Sequence, residues 1–403
     1  MRRGGSWAVV AGLAVASVGC GSGGASSGVP VPPMQATTDV FAEDVLHYVE
    51  LEVAPEHLPT LVPFGEERVP ARLVYDGVEL LDVGLRLKGG MGSARPLGEK
   101  ASFSIKTHEF VSGQRLHGVR RFSLDSEVQD ESLLDAHVGY EVFRRAGLPA
   151  RRTAFARVTF NDVYYGVYVV AEGIDGDFVK RWFPGDDDGN LYEGELADVT
   201  EPEQMELETN EDEDDRSDLE ALRDFLAGTA DDALLPGLAA HVDVDAFFRY
   251  WACEALCDHW DGYTGLNRTD EDHTEPHNYY VYASAARGLT WIPHGIDQLF
   301  DREGAATLAP PVVGAVLPSR FHATAAGRAR LVAALREVLD GSFDPAVLTA
   351  RLDAAIPLIE GSVPSDVPGS PSLWTWRRAV ARVRDFLARR PARVLAELDA
   401  AEE

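Results

Sequence analysis

Between about Val45 and Val170, apolar and polar residues alternate in short runs: "LHYVELEV", "ARLVYDG", "DVGLRLKGG", "ASFSIKT" and "RRFSLDS". A period of two sends successive side chains to opposite faces, so each run predicts a strand with one buried face. The segment "ESLLDAHVGYEVFRRAG" breaks the alternation with helical spacing and stops at Gly147-Leu148-Pro149, a helix-ending combination. After it, "AFARVTFNDVYYGVYVVAEGI" predicts two strands around an Asn161-Asp162 turn. From residue 217 onward the period becomes helical, in "DLEALRDFLAG", "VDAFFRYWACEALCDHW", "RARLVAALREVLDG" and "WRRAVARVRDFLARRPARVLAELDA". One stretch among these helices, "HNYYVYASAARGLTWIPHGIDQLF" at 277–300, reads as a hairpin instead. The pattern predicts an α+β protein of two unequal lobes with a cleft between them. A strand-rich lobe covers 38–185 and a helical lobe 217–403, separated by the hydrophilic stretch 186–216.

The N-terminus has a different character. Arg2 and Arg3 precede "WAVVAGLAVASVG", too short to span a bilayer comfortably and of the right length for a signal-peptide core. A signal peptide over 1–19 would end at Cys20, and a Gly/Ser/Pro-rich tether follows to residue 37. A small residue before a lone cysteine predicts a bacterial lipoprotein, exported and held to the membrane of the cell envelope through lipidated Cys20. Ser17 departs from the leucine usual three residues before such a cysteine. The formal net charge of −29 argues against nucleic acid as a partner, because phosphate backbones need a basic surface. It leaves room for one phosphorylated ligand held by local cations. The acid-dense stretch 186–216 reads as a solvated loop without the spacing of an EF-hand. Cys253 and Cys257 are four apart on one predicted helix face and read as core thiols.

Three places carry candidate chemistry. In "KASFSIK", Lys100, Ser102, Ser104 and Lys106 share one strand face beside the glycine-rich "KGGMGSARPLG". Backbone N–H groups approach phosphate closely only where side chains are small. Glu141 on the predicted helix, or Glu172 at the end of "YVVAE", would supply a carboxylate to hold such a lysine. In "DHWDGYTGLNRTDEDHTEPHNYYVY…WIPHGIDQLF", Asp258 and Asp261 follow a helix, Asn278 opens the hairpin and Asp297 closes it. Phosphoryl transfer needs a carboxylate near the acceptor hydroxyl, with an Asn and an Asp to hold magnesium against the phosphates.

These segments together resemble the CotH family, named for spore coat protein H, whose members are secreted atypical protein kinases and relatives. The resemblance rests on "LRLKGG…KASFSIKT", "YYGVYVVAEGID", "ELETNEDEDD", "HWDGY", "HNYYVY" and "GLTWIPHGIDQLF" in that order, and runs from about Asp39 to Leu398. It implies a two-lobed, atypical protein-kinase-like fold that binds ATP with Mg2+ or Mn2+ and phosphorylates Ser/Thr of proteins on the cell surface. It places the catalytic aspartate at Asp261, metal ligands at Asn278 and Asp297, and the ATP contact at Lys100 or Lys106, for which Glu172 is a candidate partner. Two departures stand out. The insertion "TGLNRTDEDHTEP" separates Asp261 from Asn278 and makes Asn267 a rival for the metal-binding asparagine. The family's Pro-Trp-Asp-x-Asp is here "PHGID", with Gly295 in place of the first acid and Asp297 in place of the second. The alternative expectation is therefore a pseudokinase, or a structural or binding protein of the envelope.

Overall fold

The computed structural model of the protein describes residues 32–35, 37–265, 276–302, 304–309 and 315–402. The signal peptide, Cys20 and Asn267 lie outside the described residues. Seven strands form a closed barrel: β1 (Leu46–Glu52), β2 (Val69–Tyr75), β3 (Val78–Lys88), β4 (Ser102–Lys106), β5 (Arg121–Asp125), β6 (Thr153–Phe160) and β7 (Val163–Glu172), in the order β1-β2-β3-β4-β5-β7-β6. All pairs are antiparallel except the closure of β6 on β1, which is parallel. The alternation read from the sequence fills the barrel: Val49, Leu51, Leu73, Leu85, Phe103 and Leu124 point inward and are fully buried. Asn161 and Asp162 both take left-handed backbone, φ 44° and 65°, as a tight hairpin turn requires.

β7 is covered on both faces. Tyr168 and Val170 face the barrel, whereas Val167, Val169 and Ala171 join the core under the helices. That double burial is why "GVYVVAE" reads as a continuous apolar run. The intervening helix, α1, runs over Asp135–Arg145 and starts later than the periodicity predicts. The Asp130 carboxylate accepts from the backbone N–H groups of Ser132 (2.6 Å), Leu134 (2.8 Å) and Asp135 (2.9 Å). Those bonds hold the preceding residues in a turn and engage donors that an earlier helical turn would use.

After α2 (Gly176–Trp182), strands β8 (Leu191–Gly194) and β9 (Glu206–Leu207) lie inside the acidic stretch expected to be a loop. Leu191 and Tyr192 are wholly buried there, and the surrounding acids hide them from a pattern reading. Helices α3 (Ser217–Gly228), α4 (Asp231–Leu238) and α5 (Val244–Cys257) follow. The predicted hairpin is present as β10 (Tyr279–Ser284) and β11 (Gly288–Pro293), and the second sheet has the order β11-β10-β8-β9. Helices α6 (Val316–Ala323), α7 (Ala325–Gly341), α8 (Pro345–Ile359) and α9 (Leu373–Glu402) complete the helical body. α5 lies at its centre, with Phe247 and Trp251 packed on Trp291 and Phe248. Cys253 and Cys257 are free and buried in that core, and burial pushes both thiols well up.

Candidate functional site

A cleft of about 590 Å3 separates the barrel from the hairpin and is lined by residues of both. That volume lies within the range of small-molecule and cofactor pockets. The barrel contributes Lys88, Asp125 and Arg151, and the opposite wall contributes Asp261, Asn278 and Asp297.

Asp261 sits on a loop wound around one buried acid. α5 ends at Cys257, with Asp258 in left-handed backbone, and the Asp258 carboxylate accepts from Arg302 Nη2 at 2.8 Å and Arg302 N at 2.9 Å. Glu254, inaccessible to solvent, is the hub. Its Oε1 accepts from Tyr250 Oη at 2.8 Å and lies 3.0 Å from His259 Nδ1, and its Oε2 accepts from Thr264 N at 2.8 Å and Thr264 Oγ1 at 2.6 Å. The glycine of "WDGY" fits because a Cβ on Gly262 would lie 2.1 Å from Glu254 Oε1 and 2.5 Å from His259 Nδ1. So the sequence Glu254-x-x-Cys-Asp-His-Trp-Asp-Gly closes on itself and presents Asp261 at the next bend.

The hairpin brings Asn278 to that bend. Asn278 Nδ2 donates to the Asp261 carbonyl at 2.7 Å and to Asp261 Oδ2 at 3.0 Å. His277 Nε2 lies 2.6 Å from Asp261 Oδ1, and since an ionised carboxylate only accepts, the imidazole is the donor. The insertion between Asp261 and Asn278 therefore does not part them. At the other end of the hairpin, His294 N donates to the Asn278 carbonyl at 3.0 Å, which sets Gly295 against Asn278.

Gly295 has φ 54°, and a Cβ there would lie 2.0 Å from Asn278 Oδ1. The space for a side chain at 295 thus holds the Asn278 amide. Restoring the family acid as Gly295→Asp should destabilise the chain by about 1–3 kcal/mol through left-handed strain and displacement of Asn278. Denaturant melts check this, and a variant as stable as the parent would contradict it. Asp297, two residues on, is partly buried; burial raises its carboxyl to about 6 against the opposing pull of Lys88.

The barrel wall differs from the expectation in which lysine it offers. Lys88 ends β3, opposite Ser102 in β4, and its Nζ donates to Asp125 Oδ1 at 2.8 Å. Burial pushes the Asp125 carboxyl up, but Lys88 and Arg151 outweigh it and leave it below the ordinary range. Ser102 and Ser104 of the predicted polar stripe do line the cleft; Lys100, Lys106 and Glu172 do not. Lys100 lies before β4 under the segment around Pro368, whose carbonyl accepts from Lys100 N at 2.9 Å. Its Nζ donates to Ser126 O at 2.6 Å, and burial lowers it to about 8. Lys106 pairs with Glu109 at 2.8 Å. Glu172 pairs with Arg152 at 2.8 Å and Arg181 at 2.5 Å, and Glu141 with Arg144 at 2.8 Å, so neither carboxylate holds a cleft lysine. Sequence reasoning missed Lys88, Asp125 and Arg151. The period of two in "DVGLRLK" is the signal that was there, since it sends Val83, Leu85 and Leu87 inward and Lys88 out.

Further acids face the cleft. Glu193, Glu206 and Glu208 offer oxygens within 4.8 Å of one another, and Glu208 also accepts from Arg121 at 2.6 Å. Glu127, in the turn after β5, is 5% exposed and lines the same cleft, and its Oε2 has no hydrogen-bond partner among the described residues.

The inner spore coat protein H of Bacillus subtilis (strain 168) is 23% identical over 262 residues, covering 61% of this chain and 63% of that protein, so the chain spans less than two thirds of that relative. A chain from the Shewanella oneidensis MR-1 toxin–antitoxin complex of HipA, HipB and operator DNA aligns over 70% of this chain and 59% of its own, at 12% identity and a TM-score of 0.32. That likeness is too loose to bear on fold or function. The model of the CotH kinase protein family matches residues 85–394, a span that includes Lys88, Glu254, Asp261, Asn278 and Asp297, and the chain belongs to that family.

Proposed function

We propose that this chain is a protein kinase of two-lobed, kinase-like architecture that transfers phosphate from Mg-ATP to Ser/Thr hydroxyls. The observation that carries the reading is the Asp261–Asn278 pair, with Asp297 on the same wall, facing Lys88 across one cleft. On this reading the substrates are surface proteins of a cell envelope to which lipidated Cys20 tethers the enzyme.

The donor set suits magnesium. Asp297 and the amide oxygen of Asn278 are hard oxygen donors, and Glu127 adds a buried carboxylate oxygen lacking a partner among the described residues. Mg-ATP, when bound, supplies the phosphoryl group and neutralises charge at the reacting phosphate. The chain's own work is positioning. Asp261 accepts the proton of the acceptor hydroxyl as the oxygen attacks. His277 and Asn278 fix its carboxylate in one orientation, so little reorganisation accompanies that transfer. Lys88 presents a point charge to the phosphates, and Arg151, bonded to Glu172 O at 2.5 Å and Ser123 Oγ at 2.6 Å, anchors the wall behind it.

Lys88→Met should weaken ATP binding at least roughly tenfold in calorimetric titration, the scale of losing one charge-assisted phosphate contact. Lys100→Met and Lys106→Met should change it less. Unchanged binding in Lys88→Met would move the phosphate contact elsewhere, and a wild type that binds no ATP would sink the reading. A second reading has one specific support. With Gly295 in place of the first acid, the hairpin itself offers one carboxylate fewer than the family pattern, which favours a pseudokinase that binds without turnover.

A further inference from the structure

The carboxylates that line the cleft, Asp125 and Glu127, and those buried nearby, Asp130 and Asp135, are not equivalent. Asp125 is engaged by Lys88 at 2.8 Å and Arg151 at 3.4 Å. Asp130 is engaged by the donors that start α1, and Asp135 accepts from Leu299 N at 3.0 Å. Glu127 differs. It is nine-tenths buried, its Oε2 is without a partner among the described residues, and Asp297 is the charge that bears on it most strongly. Burial pushes the Glu127 carboxyl well above its ordinary range, and its unbonded oxygen carries a free-energy cost that a bound cation would offset.

The segment that carries Glu127 is held in place. Ser126 N donates to Ser102 Oγ at 2.9 Å, and Lys100 Nζ donates to Ser126 O at 2.6 Å. Both nearby ammonium groups are thereby directed elsewhere, Lys88 to Asp125 and Lys100 to the Ser126 carbonyl. A hard divalent cation is the species that takes two carboxylate oxygens and keeps positions for phosphate oxygens and water.

We propose that Glu127, reaching in from the barrel, joins Asp297 in holding a divalent cation and supplies the carboxylate absent at Gly295. The site then spans the cleft, one ligand from each wall, and Lys100 acts behind it by positioning the Glu127 segment. Why a cation is wanted there rests on the phosphotransfer reading, but the site is tested without nucleotide.

The test is titration of the full chain with Mn2+ alone at neutral pH, following free Mn2+ by electron paramagnetic resonance, with melting temperature as a second readout. Wild type should bind one ion tightly. Glu127→Gln and Asp297→Asn should each weaken binding by at least roughly tenfold, the scale for disturbing even outer-shell partners. Both should lose the Mn2+-induced rise in melting temperature while melting cooperatively without metal. Glu193→Gln, in the separate acid group at the cleft, should bind like wild type. Wild-type affinity in Glu127→Gln, loss of binding only in Glu193→Gln, or no saturable Mn2+ binding by wild type would each overturn the assignment. Mn2+ held through Glu127 without phosphate transfer would keep the site and sink the kinase reading. Phosphate transfer with Mn2+ binding indifferent to Glu127 would do the reverse.

Discussion

Replacing Asp261 with asparagine should lower phosphate transfer by roughly 10²–10⁴-fold, the contribution of a positioned general base, while ATP binding changes little. The substitution is close to isosteric. Its amide oxygen still accepts from Asn278 Nδ2, and its amide nitrogen can face His277 Nε2 once the imidazole adopts the other tautomer. A fall in rate is then attributable to lost basicity and not to a collapsed loop. Equal rates in the variant and wild type would remove Asp261 from the chemistry. The separate measurement of ATP affinity shows whether the loss lies in turnover or in binding.

The largest effect on stability should come from Glu254. Truncation to alanine leaves Thr264 N, Thr264 Oγ1, Tyr250 Oη and His259 Nδ1 without their shared acceptor in a site closed to water. The expected loss is about 3–5 kcal/mol, as for removing one partner from a buried polar and ionic cluster. Glu254→Gln keeps two acceptor lone pairs and should cost less. Denaturant melts of both variants check this, and a loss under about 1 kcal/mol for the alanine variant would mean that the loop carrying Asp261 is held by other contacts. Because Asp261 is presented by the turn that Glu254 anchors, the alanine variant should also lose activity at temperatures where it remains folded.

How far the sequence revealed this arrangement depended on the range of the interactions involved. Strands whose faces differ in environment, such as Leu46–Glu52 and Val69–Tyr75, were legible because alternation is a local signal. So were the buried cysteines of α5 and the hairpin at 279–293. The closure of the barrel by parallel pairing of β6 with β1 was not, because nothing within either strand encodes a partner about a hundred residues away. β8 was hidden for a different reason: its buried pair, Leu191 and Tyr192, is flanked by acids that dominate any window average. The lysines illustrate the limit at the site. Period-two reasoning grouped Lys100, Ser102, Ser104 and Lys106 on one face, but β4 begins only at Ser102, and Lys100 lies before it under the segment at Pro368. The loss of an acid at Gly295 was readable, whereas the Asn278 amide standing in its space was not. Glu127 gave no signal at all, since a lone glutamate in "DSEVQD" looks like any exposed turn until its burial is known.

On the proposed reading, the cleft between barrel and hairpin transfers phosphate. That transfer is tested most directly by incubating the full chain with γ-labelled ATP, Mg2+ and a Ser/Thr-containing acceptor protein. The account predicts label on acceptor serine or threonine, abolished by chelation of the metal and by Asp261→Asn. Absence of label under conditions where ATP and Mg2+ together raise the melting temperature would contradict it, and would leave a cleft that binds nucleotide without using it.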